Sequence, residues 1–144
     1  MRITGYRRED FDRVMEINDA CYTGIYCPPR QTVADMISVS DVFIAQLDNH
    51  APEIVGFAIV KNVSQPYVWN IAVDPSCQGR GIGGNLLREI IKRYTLDHQH
   101  AISLHVNIDN PAQKLYFDYG FRVRAIEPGY FEPNDGLLME RKLP

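Results

Sequence analysis

The chain has 144 residues, of which 45% are apolar and 23% charged, the make-up of one globular domain spanning 1–144. Fifteen Lys and Arg against 18 Asp and Glu leave a formal net charge of -3, which argues against a protein that coats nucleic acid. Cys21, Cys27 and Cys77 are odd in number and form no CxxC, so neither a disulfide framework nor a thiolate metal site is expected. Met1 to Asp10 is too charged for a secretory signal, and Ile54–Val60, the longest nearly apolar run, falls far short of the ~20 residues that span a bilayer. A reducing, cytoplasmic setting without membrane partners is the expectation.

Ile3–Tyr6 reads as a short opening strand. Glu9–Tyr22 follows with Phe11, Val14, Met15 and Cys21 near helical spacing and Asp10 as its cap. Cys27-Pro28-Pro29 breaks that helix, and Thr32 is placed to cap a second, short one through Ser38. The period then changes. Val42–Leu47, Ile54–Val60 and Tyr67–Val73 are three β-rich runs without an intervening helix, which predicts an antiparallel meander.

Alternation of helix and strand begins after Val73. Ile82, Leu86, Leu87, Ile90, Ile91 and Tyr94 make a 3.6-period stripe. Ala101–Val106 is a strand, and Pro111–Tyr119 is a helix with Pro in its first turn and Gly120 at its stop. Phe121–Ile126 and Leu137–Leu143 close the chain, separated by Pro128-Gly129 and Pro133-Asn134-Asp135-Gly136. The fold class is therefore α/β, an α+β mixed sheet in which the meander precedes a βαβα unit and closing strands.

The most informative stretch runs Val73-Asp74-Pro75-Ser76-Cys77-Gln78-Gly79-Arg80-Gly81-Ile82-Gly83-Gly84. A strand enters a turn rich in glycine and leaves it as the strongest helix. Glycines permit a sharp turn with exposed N–H groups, the first N–H groups of a helix lack intrahelical partners, and the helix dipole favours an anion there. Arg80 adds a cation. This is a design for a phosphate or diphosphate. Gly-Lys-Ser/Thr is absent, which excludes a Walker-type loop, and the GxGxxG of Gly79, Gly81 and Gly84 falls after a helical arm and a meander rather than after a first strand.

Gln78-Gly79-Arg80-Gly81-Ile82-Gly83 resembles the Q/R-x-x-G-x-G/A pyrophosphate loop of the GNAT superfamily of acetyl-CoA-dependent N-acetyltransferases. Asn110-Pro111-Ala112-Gln113-Lys114-Leu115-Tyr116-Phe117-Asp118-Tyr119-Gly120-Phe121 resembles that family's N-x-x-A-x-x-L-Y-x-x-x-G-F signature, one residue shorter between Asn and Tyr. The order of elements agrees along essentially the whole chain. Trp69 to Pro75 and Gly129 to Met139 are similar to the RimI-type ribosomal-protein-alanine N-acetyltransferases.

The resemblance implies a GNAT-like fold with acetyl-CoA as co-substrate and no metal. The backbone of Ile71, Ala72 and Val73 would pair with the pantetheine arm. The turn from Gln78 through Gly79, Arg80, Gly81, Ile82 and Gly83 to Gly84 would hold the pyrophosphate, and Asn110 would hydrogen-bond the coenzyme. Asn110 also suits a helix cap by type and position. Tyr116 would stand near the thioester sulfur and protonate the departing thiol; its alternative is to pack on the sheet with Leu115 and Tyr119.

In the RimI-type pattern a Glu serves as base on the strand where this chain has His105. Strand alternation sends His105 to the face opposite Leu104 and Val106, and an imidazole can act as base near neutral pH or serve as a hydrogen-bonded structural residue. Glu127, Glu132 and Asp135 are further candidates for the base, each also readable as a solvated surface charge. Cys77 has no base beside it, and His50, His98 and His100 lack ligand partners at metal spacing. Tyr22, Tyr26, Pro28-Pro29 and Tyr130–Asp135 fall where the family places acceptor recognition.

The expected acceptor is a primary amine of a peptide or protein N-terminus. The alternatives are a small amine acceptor or a catalytically idle acetyl-CoA sensor. No nucleic-acid partner is expected, and the state is monomer or homodimer.

Overall fold

The computed structural model describes residues 1–22 and 27–144; Tyr26 lies outside the described residues. Seven strands form one sheet in the order β1-β2-β3-β4-β5-β7-β6, where β1 is Arg2–Gly5, β2 Asp41–Asp48, β3 Pro52–Asn62, β4 Pro66–Val73, β5 Ala101–Asn107, β6 Arg122–Phe131 and β7 Asn134–Lys142. All neighbours run antiparallel except β4 and β5. Among the described residues four α-helices accompany the sheet: α1 (Phe11–Cys21), α2 (Arg30–Ser38), α3 (Ile82–Leu96) and α4 (Gln113–Asp118). Among the described residues no helix is long and apolar enough to cross a membrane.

The sheet separates two cores. On one face, Ala58, Val60, Val68, Ile102 and Leu104 meet the stripe Ile82, Leu86, Leu87, Ile90 and Tyr94 of α3. On the other, Ile44, Phe57, Ile59 and Ala72 pack with Val14, Met15 and Ile17 of α1 and Val33 of α2. Both faces of β3 are therefore covered, which is why Ile54–Val60 reads as an unbroken apolar run rather than an alternating one. Gly56 lets the start of α3 settle on β3. A Cβ there would lie 3.0 Å from the Ala72 carbonyl oxygen and 3.3 Å from Ile82 Cγ2.

The meander of β2, β3 and β4, the α3 stripe and the closing pair of strands agree with the sequence reading. Several local expectations do not. Asp10 holds the N-cap position of α1 as expected, but its side chain makes no cap bond to that helix: its carboxylate accepts the Arg7 N–H at 2.8 Å, closing a short 3-10 turn ahead of it. The second helix starts at Arg30 behind Pro29, so Thr32 lies inside its first turn rather than at its cap; Pro29 fixes an extended entry that ends where the helix begins. Pro111 and Ala112 form a turn ahead of α4. Pro128-Gly129 does not end a strand. β6 continues to Phe131 with an irregular register between Glu127 and Phe131, and the reversal falls at Glu132-Pro133. Asp135, near the start of β7, accepts the Gly129 N–H at 2.9 Å, which ties the irregular stretch to its neighbour.

The register of β4 contains the most consequential feature. Ile59 pairs with Asn70 and Val60 with Val68, so Trp69 is an extra residue, a bulge. Pairing of β4 with β5 is confined to Tyr67 with Ser103 and Val68 with Leu104. Beyond the bulge the two parallel strands part.

Substituting Gly56→Ala forces a methyl onto a backbone carbonyl and is expected to lower stability by about 1–3 kcal/mol, the usual range for overpacking. Urea denaturation followed by circular dichroism measures it; an unchanged midpoint would contradict the close approach of α3 to β3.

Candidate active site

The gap between β4 and β5 opens into a cleft of about 520 Å³, bordered by Ile71 on β4, His105 on β5, Asn110, Tyr116 and, from α1, Cys21 and Tyr22. Ile71 and Val73 turn their carbonyls to this gap, because successive peptide groups of a strand point to opposite edges. They find partners other than β5. Tyr22 Oη lies 3.1 Å from the Ile71 oxygen, and Cys21 Sγ and Gln78 Nε2 each reach the Val73 oxygen at 3.1 Å. Ala72, between them, points the other way and is buried beneath α1.

The end of α1 is fixed to this strand by a buried polar network. Asn70 Nδ2 donates to Asn18 Oδ1 at 3.2 Å, and Tyr22 Oη donates to Asn70 Oδ1 at 2.7 Å. Asn18 is fully buried and Asn70 nearly so, and their amides satisfy one another as buried polar groups must. Burial pushes the Tyr22 hydroxyl pKa well up, so it stays a donor.

The glycine-rich turn follows directly. Asp74 accepts the Ser76 N–H at 2.9 Å and the Ser76 hydroxyl at 2.8 Å, and pairs with Arg13 of α1 at 2.5 Å. Those contacts, the Ser76 N–H foremost, hold its carboxyl below the usual carboxylate range. Gly79 and Gly81 adopt φ of +80° and +79°, a region that disfavours side chains, and a Cβ at either would meet open space. The requirement is thus conformational. Gly83 and Gly84 serve packing: a Cβ at Gly83 would lie 3.2 Å from Leu115 Cδ2, and one at Gly84 would land on the Tyr119 hydroxyl. The first intrahelical bond of α3 runs from the Asn85 N–H to the Gly81 oxygen at 3.0 Å, so the N–H groups ahead of it have no intrahelical acceptor. Arg80 is exposed beside them. Together with the parted strand edge, this donor set suits an anion followed by an extended chain that bonds to peptide groups.

Asn110 does not cap α4, whose N-cap position is held by Ala112; its side-chain oxygen accepts the Ala112 N–H at 2.9 Å in the turn ahead of the helix, and it also borders the cleft. Tyr116 is 8% exposed and its ring packs edge-on against Phe121, so it belongs to the core and to the cleft at once. Burial raises its pKa to about 12, which keeps the hydroxyl protonated at neutral pH.

His105 has two partners. Its Nδ1 is 2.6 Å from the Tyr67 hydroxyl and its Nε2 is 2.8 Å from Glu127 Oε2. A carboxylate only accepts, so Nε2 carries the proton in the neutral ring and Nδ1 accepts from Tyr67. Tyr130 stacks on the imidazole with ring centroids 4.1 Å apart. Burial raises the Tyr67 pKa. Of the other carboxylates considered as bases, Glu127 joins this chain, Asp135 braces a turn and Glu132 is exposed at the β6–β7 reversal. Sequence reasoning missed Tyr67, Asn18, Asn70 and the contact of Cys21. An alternating strand marks Tyr67 and His105 as facing one way, yet only the register reveals that they touch. Among the described residues no three His, Cys, Asp or Glu gather as a metal site.

Residues 38–123 match the acetyltransferase (GNAT) domain family. Over 142 residues the chain is 27% identical to a putative ribosomal protein bS18-alanine N-acetyltransferase of Bacillus subtilis, covering 95% of this chain and 92% of that protein. The ribosomal-protein-S18-alanine N-acetyltransferase of Escherichia coli superposes with a TM-score of 0.88 at 23% identity, over 99% of this chain and 93% of that one. A Bacillus subtilis acetyltransferase crystallised with CoA superposes at 0.85 with 19% identity, over 99% of both chains. The mixed sheet, parted at its parallel pair and followed by a glycine-rich helix start, is that of an acyltransferase. The chain belongs to the GNAT acetyltransferase family.

Asp74→Ala removes the carboxylate that organises the turn and is expected to cost about 1 kcal/mol at neutral pH, as loss of a capping side chain does. Because the folded carboxyl titrates below its unfolded value of about 3.9, its contribution is full above about pH 4 and fades as the pH falls below that. Denaturation midpoints of both proteins across pH 2–7 should therefore converge at the acid end; a gap that stays constant would contradict the pairing.

Proposed function

We propose that this acetyl-CoA-dependent N-acetyltransferase acts on the α-amine of a peptide or protein N-terminus, with Tyr67, His105 and Glu127 accepting the proton of the amine and Tyr116 supplying one to the leaving thiol. The observation that carries the reading is that Tyr67, His105 and Tyr116 border one cleft, at the point where β4 and β5 part, with Glu127 hydrogen-bonded to His105. The relatives named for alanine N-acetylation support the acceptor class.

The coenzyme would lie with its diphosphate on the turn Gln78–Gly84, with Asn110 alongside, and its extended arm along Ile71–Val73. Peptide groups of Ile71 and Val73 supply the edge; Ala72 contributes by holding that edge against α1. An ammonium has no lone pair, so the acceptor must first lose a proton. It passes to the Tyr67 oxygen while the Tyr67 proton moves to His105 Nδ1, and Glu127 stabilises the imidazolium. The free amine then attacks the acetyl carbon. The Val73 N–H, on the parted edge, is suited to hold the oxygen as it gains charge. As the C–N bond forms the C–S bond breaks; the sulfur takes the proton of Tyr116, and the attacking nitrogen, which still carries one proton more than the amide, releases it into the cleft. A hydroxyl that is still protonated at neutral pH is the form required of it. A tyrosinate is a stronger base than a thiolate near pKa 8.5, so Tyr116 takes up the proton that the nitrogen releases and is restored for the next turnover.

Release of free thiol from acetyl-CoA, followed with N-terminal peptides and with small amines in parallel, tests the acceptor. Higher kcat/KM for peptides supports the reading; transfer confined to polyamines or amino acids overturns it. Tyr116→Phe is expected to lower kcat about 100-fold or more with little change in coenzyme affinity. Tyr67→Phe and His105→Ala should each lower kcat, and the double variant should lose little beyond either single one, as members of one unit do. Additive losses would separate the two residues.

A further inference from the structure

A second cavity, about 480 Å³, lies outside the first and shares Tyr67, Trp69, His105 and Tyr130 with it. Its outer wall is the β3–β4 hairpin, with Lys61 on β3 and the loop residues Ser64 and Gln65. Lys61 pairs directly with Tyr67 across the two strands, so both side chains stand on the face that carries His105. It is exposed, with no ion-pair partner among the described residues, and no carboxylate lines this cavity. Glu127, behind the shared wall, is engaged by His105. The cavity is therefore a vestibule with aromatic walls, a cation on its rim and the His105 chain at its inner end.

We infer that this vestibule takes the acceptor chain beyond the reacting amine, and that Lys61 selects a carboxylate side chain at the second or third residue of an N-terminal peptide. The inference rests on the acceptor reading above and goes beyond it to the sequence preferred. Spacing argues for a peptide. Lys61 and His105 stand two strands apart, and adjacent strands are about 4.8 Å apart, which with the offset along β5 puts them on the order of 10 Å apart. An extended chain covers about 3.3–3.6 Å per residue, so a side chain two residues on reaches that far. The amine and carboxylate of a free amino acid, held within one residue, cannot.

The test is kcat/KM of the full chain with acetyl-CoA for peptides that begin with Ala and carry Glu, Gln or Lys at the second or the third position. Glu is expected to exceed Lys by about 10-fold at one of the two positions, with the margin shrinking in high salt as exposed charges are screened. Lys61→Glu should reverse the order, and Lys61→Met should remove it while retaining turnover of the Gln peptides. A wild-type enzyme that acetylates all the peptides equally, or a preference that survives in Lys61→Glu, overturns the vestibule reading and leaves the peptide acceptor standing. Acetylation of small amines alone, with no peptide turned over, overturns both.

Discussion

The separation of β4 from β5 is the constraint on which the rest of the molecule turns. Parallel neighbours normally exchange hydrogen bonds along their length, and a buried peptide group without a partner is costly. Here the bulge at Trp69 bends β4 just where its pairing with β5 stops. The carbonyls released by the bend are met by Tyr22, Cys21 and Gln78. Each such bond contributes about 0.5–1.5 kcal/mol net, so the open edge is tolerated without being sealed. A strand-like ligand can exchange these small contributions for its own.

Everything around the gap is arranged to keep it open and aligned. The Asn18–Asn70–Tyr22 network anchors α1 to β4 from one side, and the Arg13–Asp74 pair repeats the attachment at the turn. Gly56 allows α3 to sit deeply on β3, which points the helix N-terminus at the end of the same edge. The positive end of the helix dipole, exposed N–H groups and Arg80 then converge there. Across the gap, β5 contributes His105, and the long β6–β7 hairpin brings Glu127 and Tyr130 against it. The two edges of the gap are thus built by different halves of the sheet and joined only by the short paired stretch at Tyr67 and Val68.

What could be read in the sequence was what local chemistry determines. The glycine turn, the α3 stripe and the three successive strands announce themselves through residue type and period, and Tyr116 is placed by the motif around it. Other features depend on register. Nothing in the run Tyr67–Val73 distinguishes Trp69 as an extra residue, because a bulge is a relation between two strands. The contact of Tyr67 with His105 joins positions 38 residues apart, and that of Glu127 crosses from a strand two places along the sheet. Local signals also misled where a stronger local rule competed. Pro29 sets the start of α2 ahead of Thr32, Asp10 closes its own turn, and Pro128-Gly129 is absorbed by irregular pairing because β7 offers Asp135 as a partner.

A crystal structure with CoA bound tests the central claim most directly. The account predicts diphosphate density on the N–H groups between Gly79 and Gly84, and an extended arm bonded to Ile71 and Val73 in place of Tyr22, Cys21 and Gln78. Density elsewhere, with those three side chains still seated on the β4 carbonyls, would contradict it.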